Sequence, residues 1–222
     1  MHDTALITGR LFAKLYGKQN ALVIDIGGFN TAGLDVNGSL RSGFKDIGMS
    51  YICVDLSQHP SVDMVIQPGQ KLPFADGSID IIVSTSCFEH DPCFWLTFRE
   101  MTRILKMDGY IYVNAPSNGS YHCYPGDNWR FYSDAGQALA YWASYQISNE
   151  PVYPVKVVET FHVLPLNDVW IDFVCVWKRV ETKETEIITS LQSRQNVGIL
   201  EKTLNDNNIQ TSKIMPTTVI FK

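Results

Sequence analysis

Two short stretches hold the side chains best suited to chemistry. STSCFEHDPCFW (84–95) sets Glu89 beside His90, with Cys87 and Cys93 on either side. SNGSYHCYPGDNWRFY (117–132) gathers Asn118, His122, Tyr124, Asp127, Trp129 and Arg130. An imidazole can take a proton near neutral pH, and an adjacent carboxylate can orient it. Glu89, His90, His122 and Asp127 are therefore the candidate catalytic groups. The second stretch offers flat apolar faces and fixed polar groups, as a site for a small polar ligand such as a sugar requires. Asn118, Tyr124, Trp129 and Arg130 are its candidate contacts. Each has a plainer role to set beside this. Glu89 can be a stabilising acid at a helix start, and His90 can bond a neighbouring loop. Asp127 and Arg130 can pair to fix their own loop, and Trp129 can be core.

A zinc ion among Cys87, His90 and Cys93 is not expected. A structural zinc needs four ligands at characteristic spacing, and the chain has neither C-x-x-C nor H-x-x-x-H. The five cysteines, Cys53, Cys87, Cys93, Cys123 and Cys175, are odd in number and scattered, which suits free thiols in a reducing cytosol.

The elements that must position these groups are legible as apolar runs. ALVIDIGG, YICVDLS, VDMVI and IDIIVST are short and apolar, the pattern of strands buried on both faces. MDGYIYVNAPS is a turn and a fifth strand. VKVVETFHVLP and DVWIDFVCVWKRV alternate and predict a closing antiparallel pair. Residues 4–18, FWLTFREMTRIL and SDAGQALAYWASY have helical spacing; Trp95, Phe98, Met101, Thr102 and Leu105 share one side of the second, and Ser133 or Asp134 caps the third. Strands alternating with helices predict a doubly wound α/β domain, Rossmann-like, with seven strands, mostly parallel, and a C-terminal antiparallel hairpin. Residues 1–182 form that domain. Residues 183–222 are more polar and form an extension with a helix within 186–205, available for packing or for a homo-oligomer contact.

Ligands of such sheets bind beyond the carboxyl ends of the strands. The first strand ends at Asp25, Gly27 and Gly28, where glycine lets backbone approach a ligand. G-G-F-N-T-A-G is a poor pyrophosphate loop and lacks the P-loop lysine. Asp55 ends the second strand, where a carboxylate can accept from both ribose hydroxyls. An adenosine ligand without phosphates, such as S-adenosylmethionine, fits that set.

The segments DVNGSLRS (35–42), YICVDLS (51–57), VDMVI…KLPFADGSIDIIVSTSCFEH (62–90), FWLTFREMTRILKMDGYIYVNAPSNG (94–119) and HCYPGDNWRFYSDAG (122–136) resemble the class I S-adenosylmethionine-dependent methyltransferases. More narrowly they resemble a bacterial branch associated with surface-glycan biosynthesis. The resemblance implies that Asp25 and Gly27 lie by the methionine end of the cofactor and that Asp55 takes the ribose diol, with the adjacent Gly28 and Leu56 as further cofactor-binding residues. It places adenine by Gln70 and Leu72, and the amino and carboxyl groups by Ser84 and Ser86. The chain departs from the branch in a longer loop after Gly27 and in Gln67, Pro68, Gly69 and Gln70 where an acid is common.

The expected activity is methyl transfer to a small acceptor, a hydroxyl of a sugar or glycan precursor. The alternatives are an O-methyltransferase assisted by magnesium at Glu89 and His90, or a silent scaffold with the same fold. The formal net charge of −5 and the lack of a Lys/Arg stripe argue against nucleic acid. The absence of a long apolar stretch and of a signal-peptide pattern predicts a cytoplasmic protein without a membrane span.

Overall fold

The computed structural model describes residues 3–29, 39–123, 125–146, 149, 151–181 and 197–214. The first helix, α1 (Asp3–Tyr16), precedes β1 (Leu22–Ile26); α2 (Leu40–Lys45), β2 (Ser50–Asp55) and β3 (Met64–Val65) follow. Then come β4 (Ile79–Thr85), α3 (Phe94–Ile104), β5 (Leu105–Pro116), α4 (Ala135–Ser144), β6 (Val155–Val163) and β7 (Asp172–Arg179). The last described elements are α5 (Ile199–Asp206) and β8 (Thr211–Ser212).

The strands form one sheet in the order β3-β2-β1-β4-β5-β7-β6-β8. The first five pair in parallel, while β7 runs antiparallel to β5 and β6. Alternation along the strands divides their apolar residues between two faces. Ile24, Ile26, Val54, Ile82, Ile111 and Val113 pack with Phe98, Met101 and Ile104 of α3 and Leu139, Ala140 and Ala143 of α4. Val23, Tyr51, Cys53, Ile81, Val83 and Tyr112 pack with Phe12 of α1, Phe44 of α2 and Leu200 and Leu204 of α5. Helices thus cover both faces, which is why the parallel strands read as apolar runs. Burying each large side chain contributes roughly 1.5–3 kcal/mol.

The sheet has eight described strands where the sequence predicts seven; β8 adds two residues to the edge of β6. The third strand is two residues long, shorter than its apolar run suggests. Leu105 opens β5 and does not extend α3: its backbone is extended, at φ −69° and ψ 132°. The last carbonyls of α3 are taken by other elements, Arg103 by the Gly77 amide and Ile104 by the Ser78 amide. Asp134 occupies the α4 cap position without a side-chain cap bond.

Residues 197–214 are packed into the domain. The buried Glu159 carboxylate accepts from the Leu200 amide at 3.0 Å and the Glu201 amide at 3.0 Å, so a strand side chain caps α5. The remaining residues of the predicted extension, 183–196 and 215–222, lie outside the described residues.

Candidate active site

The chain leaves the sheet in opposite senses on either side of β1, which pairs with β2 and with β4. That is a topological switch point, and in such sheets ligands bind beyond its carboxyl edge. At the nucleotide end, Gly27 has φ +73°, a conformation that glycine adopts without strain. A Cβ at Gly27 would overlap the Cys87 side chain, and one at Gly28 would overlap the Asp25 carboxylate. Asp25 is buried and accepts a hydrogen bond from the Tyr51 hydroxyl. Its Oδ1 has no partner among the described residues. Burial pushes its carboxyl up to about 6, against the opposing pull of the Tyr51 bond.

Asp55 stands at the end of β2. Its Oδ2 accepts from the Phe29 amide at 3.2 Å and its Oδ1 from the Ser57 amide at 3.2 Å. Leu56 is 55% exposed, an apolar surface beside that carboxylate. Phe29 packs on the His59 ring with centroids 4.4 Å apart. Gln70 is exposed, and its amide closes a turn onto the Gln67 carbonyl at 3.3 Å.

The second end is built after β4 and β5. Ser86 takes φ +49° and its amide donates to the Asn114 carbonyl at 3.0 Å, which turns the chain out of the sheet. Glu89 is buried, and its Oε2 has no partner among the described residues. Burial raises its carboxyl to about 7. His90 donates from Nδ1 to the Gly126 carbonyl, which leaves Nε2 with a lone pair, 3.6 Å from Glu89 Oε1. The His122 ring meets His90 edge-on at 5.0 Å and Trp170 at 5.0 Å. Glu89, His90 and His122 each place one donor atom within 4.8 Å of the others.

Asp127 fixes the loop that carries His122. It accepts from the His122 amide at 2.9 Å and from both Arg130 terminal nitrogens, at 2.6 and 2.8 Å. The Arg130 guanidinium holds the Asp127 carboxyl well below the usual carboxylate range. The same Asp127 Oδ2 lies 3.3 Å from His122 Nδ1. The loop is tied to the β4 end through the Glu89 carbonyl, which accepts from the Asn128 amide at 2.7 Å.

Residues 34–113 match the family model described as a methyltransferase domain. A Mycobacterium tuberculosis protein described as an uncharacterized methyltransferase is 29% identical over 126 residues, 50% of this chain and 46% of that protein. A similarly described Mycolicibacterium gilvum protein is 31% identical over 120 residues, 48% of this chain and 44% of that protein. The chain spans about half the length of these curated relatives. Among solved structures, the Burkholderia thailandensis 1,6-didemethyltoxoflavin-N1-methyltransferase, bound to 1,6-didemethyltoxoflavin and S-adenosylhomocysteine, superposes with TM-score 0.59 at 16% identity. The match covers 80% of this chain and 79% of that one. An Aquifex aeolicus S-adenosylmethionine-dependent methyltransferase gives TM-score 0.51 at 14% identity over 78% and 93% of the two chains. The fold is the Rossmann-like methyltransferase fold.

Within this methyltransferase fold, several residues expected to touch a ligand have other work. The Ser84 hydroxyl is buried and donates to the Ile26 carbonyl at 2.9 Å, locking β4 to β1. Leu72 is buried core; its amide donates to Glu100 at 2.9 Å and its carbonyl accepts from Arg103 at 2.9 Å. Asn118 holds the 169–171 segment, donating to the Val169 carbonyl at 2.9 Å and accepting from the Ile171 amide at 2.7 Å. Arg130 is a loop clasp, bidentate on Asp127. Trp129 is part-exposed, and its Nε1 donates to the Asp91 carbonyl at 3.0 Å. Tyr124 lies outside the described residues. Trp170, which backs His122 from another segment, and Cys87, the wall behind Gly27, carry no signal of these places in the sequence pattern. No helix among the described residues is long and apolar enough to cross a membrane.

Proposed function

We propose that this chain transfers a methyl group from S-adenosylmethionine to an oxygen of a small polar acceptor, a sugar hydroxyl being the favoured class. One observation carries the reading. Cys87 packs behind the Gly27 turn, two residues before Glu89, so the nucleotide end and the imidazole end share a wall. The residues at the first end fit an adenosine without phosphates. Asp55 offers a part-exposed carboxylate for the ribose diol, and Leu56 an apolar surface beside it.

The bound cofactor supplies an electrophilic methyl group and its leaving group. The chain supplies alignment and proton removal. Alignment of two reactants is worth at most roughly 7–11 kcal/mol when well preorganised. His90 Nε2, held as a lone pair by the Nδ1 bond to Gly126, accepts the acceptor's proton, an effect of about 10²–10⁴ in rate. His122, with Trp170 behind it, forms the opposite side of the acceptor site. The branch resemblance supports a sugar acceptor, and the exposed face of Trp129 offers a flat apolar surface for one.

The test is calorimetry with S-adenosylhomocysteine, followed by a screen of nucleotide-sugars and lipid-linked sugars with radiolabelled cofactor. Binding and label transfer are expected. No heat at millimolar ligand would refute the enzyme reading and favour a scaffold. Transfer confined to non-sugar acceptors would refute the sugar assignment alone.

A further inference from the structure

The side chains of Glu89, His90 and His122 converge from two separate loops, and we propose that they hold a divalent transition-metal ion with open positions facing the acceptor. One donor atom of each lies within 4.8 Å of the other two. His90 Nε2 and Glu89 Oε1 are 3.6 Å apart, close to the spacing of two ligands that each reach one ion at about 2.0–2.2 Å.

The surroundings of His90 are those of a metal ligand. A ligating imidazole almost always gives its other ring nitrogen to a carbonyl or carboxylate, which fixes tautomer and orientation. His90 gives Nδ1 to the Gly126 carbonyl, while His122 Nδ1 lies 3.3 Å from Asp127 Oδ2 without a hydrogen bond to it. Arg130 also approaches His122 Nδ1, but at 3.5 Å and with its stronger bonds on Asp127. His90 is thereby left with Nε2 for an ion, and His122 brings one ring nitrogen to the same cluster.

Glu89 supplies the second, independent sign. It is 1% exposed, and its Oε2 has no partner among the described residues. A buried carboxylate oxygen left unpaired is destabilising, and a cation would satisfy it. His122 is 37% exposed at its side chain, so an ion has a way in from solvent.

Two imidazoles and one carboxylate select zinc or ferrous iron over magnesium, which prefers oxygen donors. Three protein ligands leave positions free, as in catalytic rather than structural sites. The neighbouring thiol is not part of the set: Cys123 Sγ is directed at the Pro125 carbonyl, 2.6 Å away. With the ion in place, His90 Nε2 is a ligand. A hydroxyl oxygen bound to the ion then ionises near neutral pH, its proton passing to solvent. That catalytic use rests on the methyl-transfer reading; the ion site does not.

The experiment strips the full chain with EDTA, adds zinc or cobalt(II), removes free ion by gel filtration and measures metal per chain. About one ion per chain is expected, with visible cobalt bands of a low-coordinate nitrogen and oxygen site. Glu89→Gln and His122→Ala should each weaken binding by at least about tenfold, the least that disturbing even the outer shell usually costs. A Cys93→Ser/Cys123→Ser double variant should keep the ion. Calorimetry with S-adenosylhomocysteine on every sample reports an intact fold and cofactor end. Parent protein that binds S-adenosylhomocysteine but retains no stoichiometric zinc or cobalt overturns the ion site and leaves the methyl-transfer reading standing. Retention of the ion without S-adenosylhomocysteine binding does the reverse. Equal metal content in His122→Ala and parent, or loss of the ion in the thiol variant, overturns the assignment of ligands.

Discussion

Replacing Asp55 is the sharpest probe of the nucleotide end. Hydrogen bonds to a charged group contribute about 1.5–3 kcal/mol each. Two ribose hydroxyls on this carboxylate would therefore supply roughly 3–6 kcal/mol, and each 1.4 kcal/mol is about tenfold in affinity. The group is only half-buried, and water competes for it, so the lower part of that range applies. Asp55→Ala should raise the Kd for S-adenosylhomocysteine by about 100-fold or more. Asp55→Asn keeps one acceptor oxygen and should lose about tenfold. Asp55 also accepts the Phe29 and Ser57 amides, so thermal unfolding must accompany the calorimetry to separate a lost ligand contact from a loosened turn. An Asp55→Ala protein that stays folded and binds within about threefold of the parent would refute the carboxylate's role.

Three further predictions concern the frame around the site. His162 is fully buried, and desolvation lowers its ring to about 4 from 6.5, so the unfolded chain binds more protons between those values. Stability from neutral His162 should be whole above pH 6.5 and fall by about 3 kcal/mol as pH drops to 4; urea titrations should show a flatter profile in His162→Gln. Glu159→Ala removes the cap of α5 and strands two buried amides, and should lower stability by about 3 kcal/mol in chemical denaturation. Gly27→Ala forces an L-residue to φ +73° and into Cys87. That strain alone costs roughly 1–2 kcal/mol, and calorimetry should show weakened S-adenosylhomocysteine binding with it.

The sheet was legible because strands buried on both faces carry short apolar runs, as LVI does in β1, YICV in β2, IIV in β4 and YIYV in β5. The eighth strand was not, since Thr211 and Ser212 carry no apolar pattern and pair only because β6 offers an open edge. Strand ends point to the carboxyl edge of the sheet, but the direction of each side chain there is not legible in the sequence. Ser84 and Ser86 are two apart near the same strand end, yet Ser84 points into the sheet to bond Ile26 while Ser86 turns the chain at positive φ. Asn118 looked free to meet a substrate because its partners lie on the 169–171 segment, far along the chain. Composition gives no view of such long-range partners, and Trp170 escaped notice for the same reason.

The two ends of the crevice are held by different means, and this bears on which of them sets specificity. Asp25 and Asp55 project from neighbouring parallel strands, whose register of Asp25 against Cys53 and Ile26 against Val54 fixes their spacing. Changing the position of either carboxylate would require moving the sheet. The acceptor end depends instead on a loop clasped by Asp127 and Arg130 and tied to the Glu89 carbonyl by the Asn128 amide. Substitutions within 117–132 can reshape that loop without moving Asp25 or Asp55. A loop-swapped chain should therefore keep its affinity for S-adenosylhomocysteine while changing its acceptor, and simultaneous loss of both would show that the two ends are mechanically one.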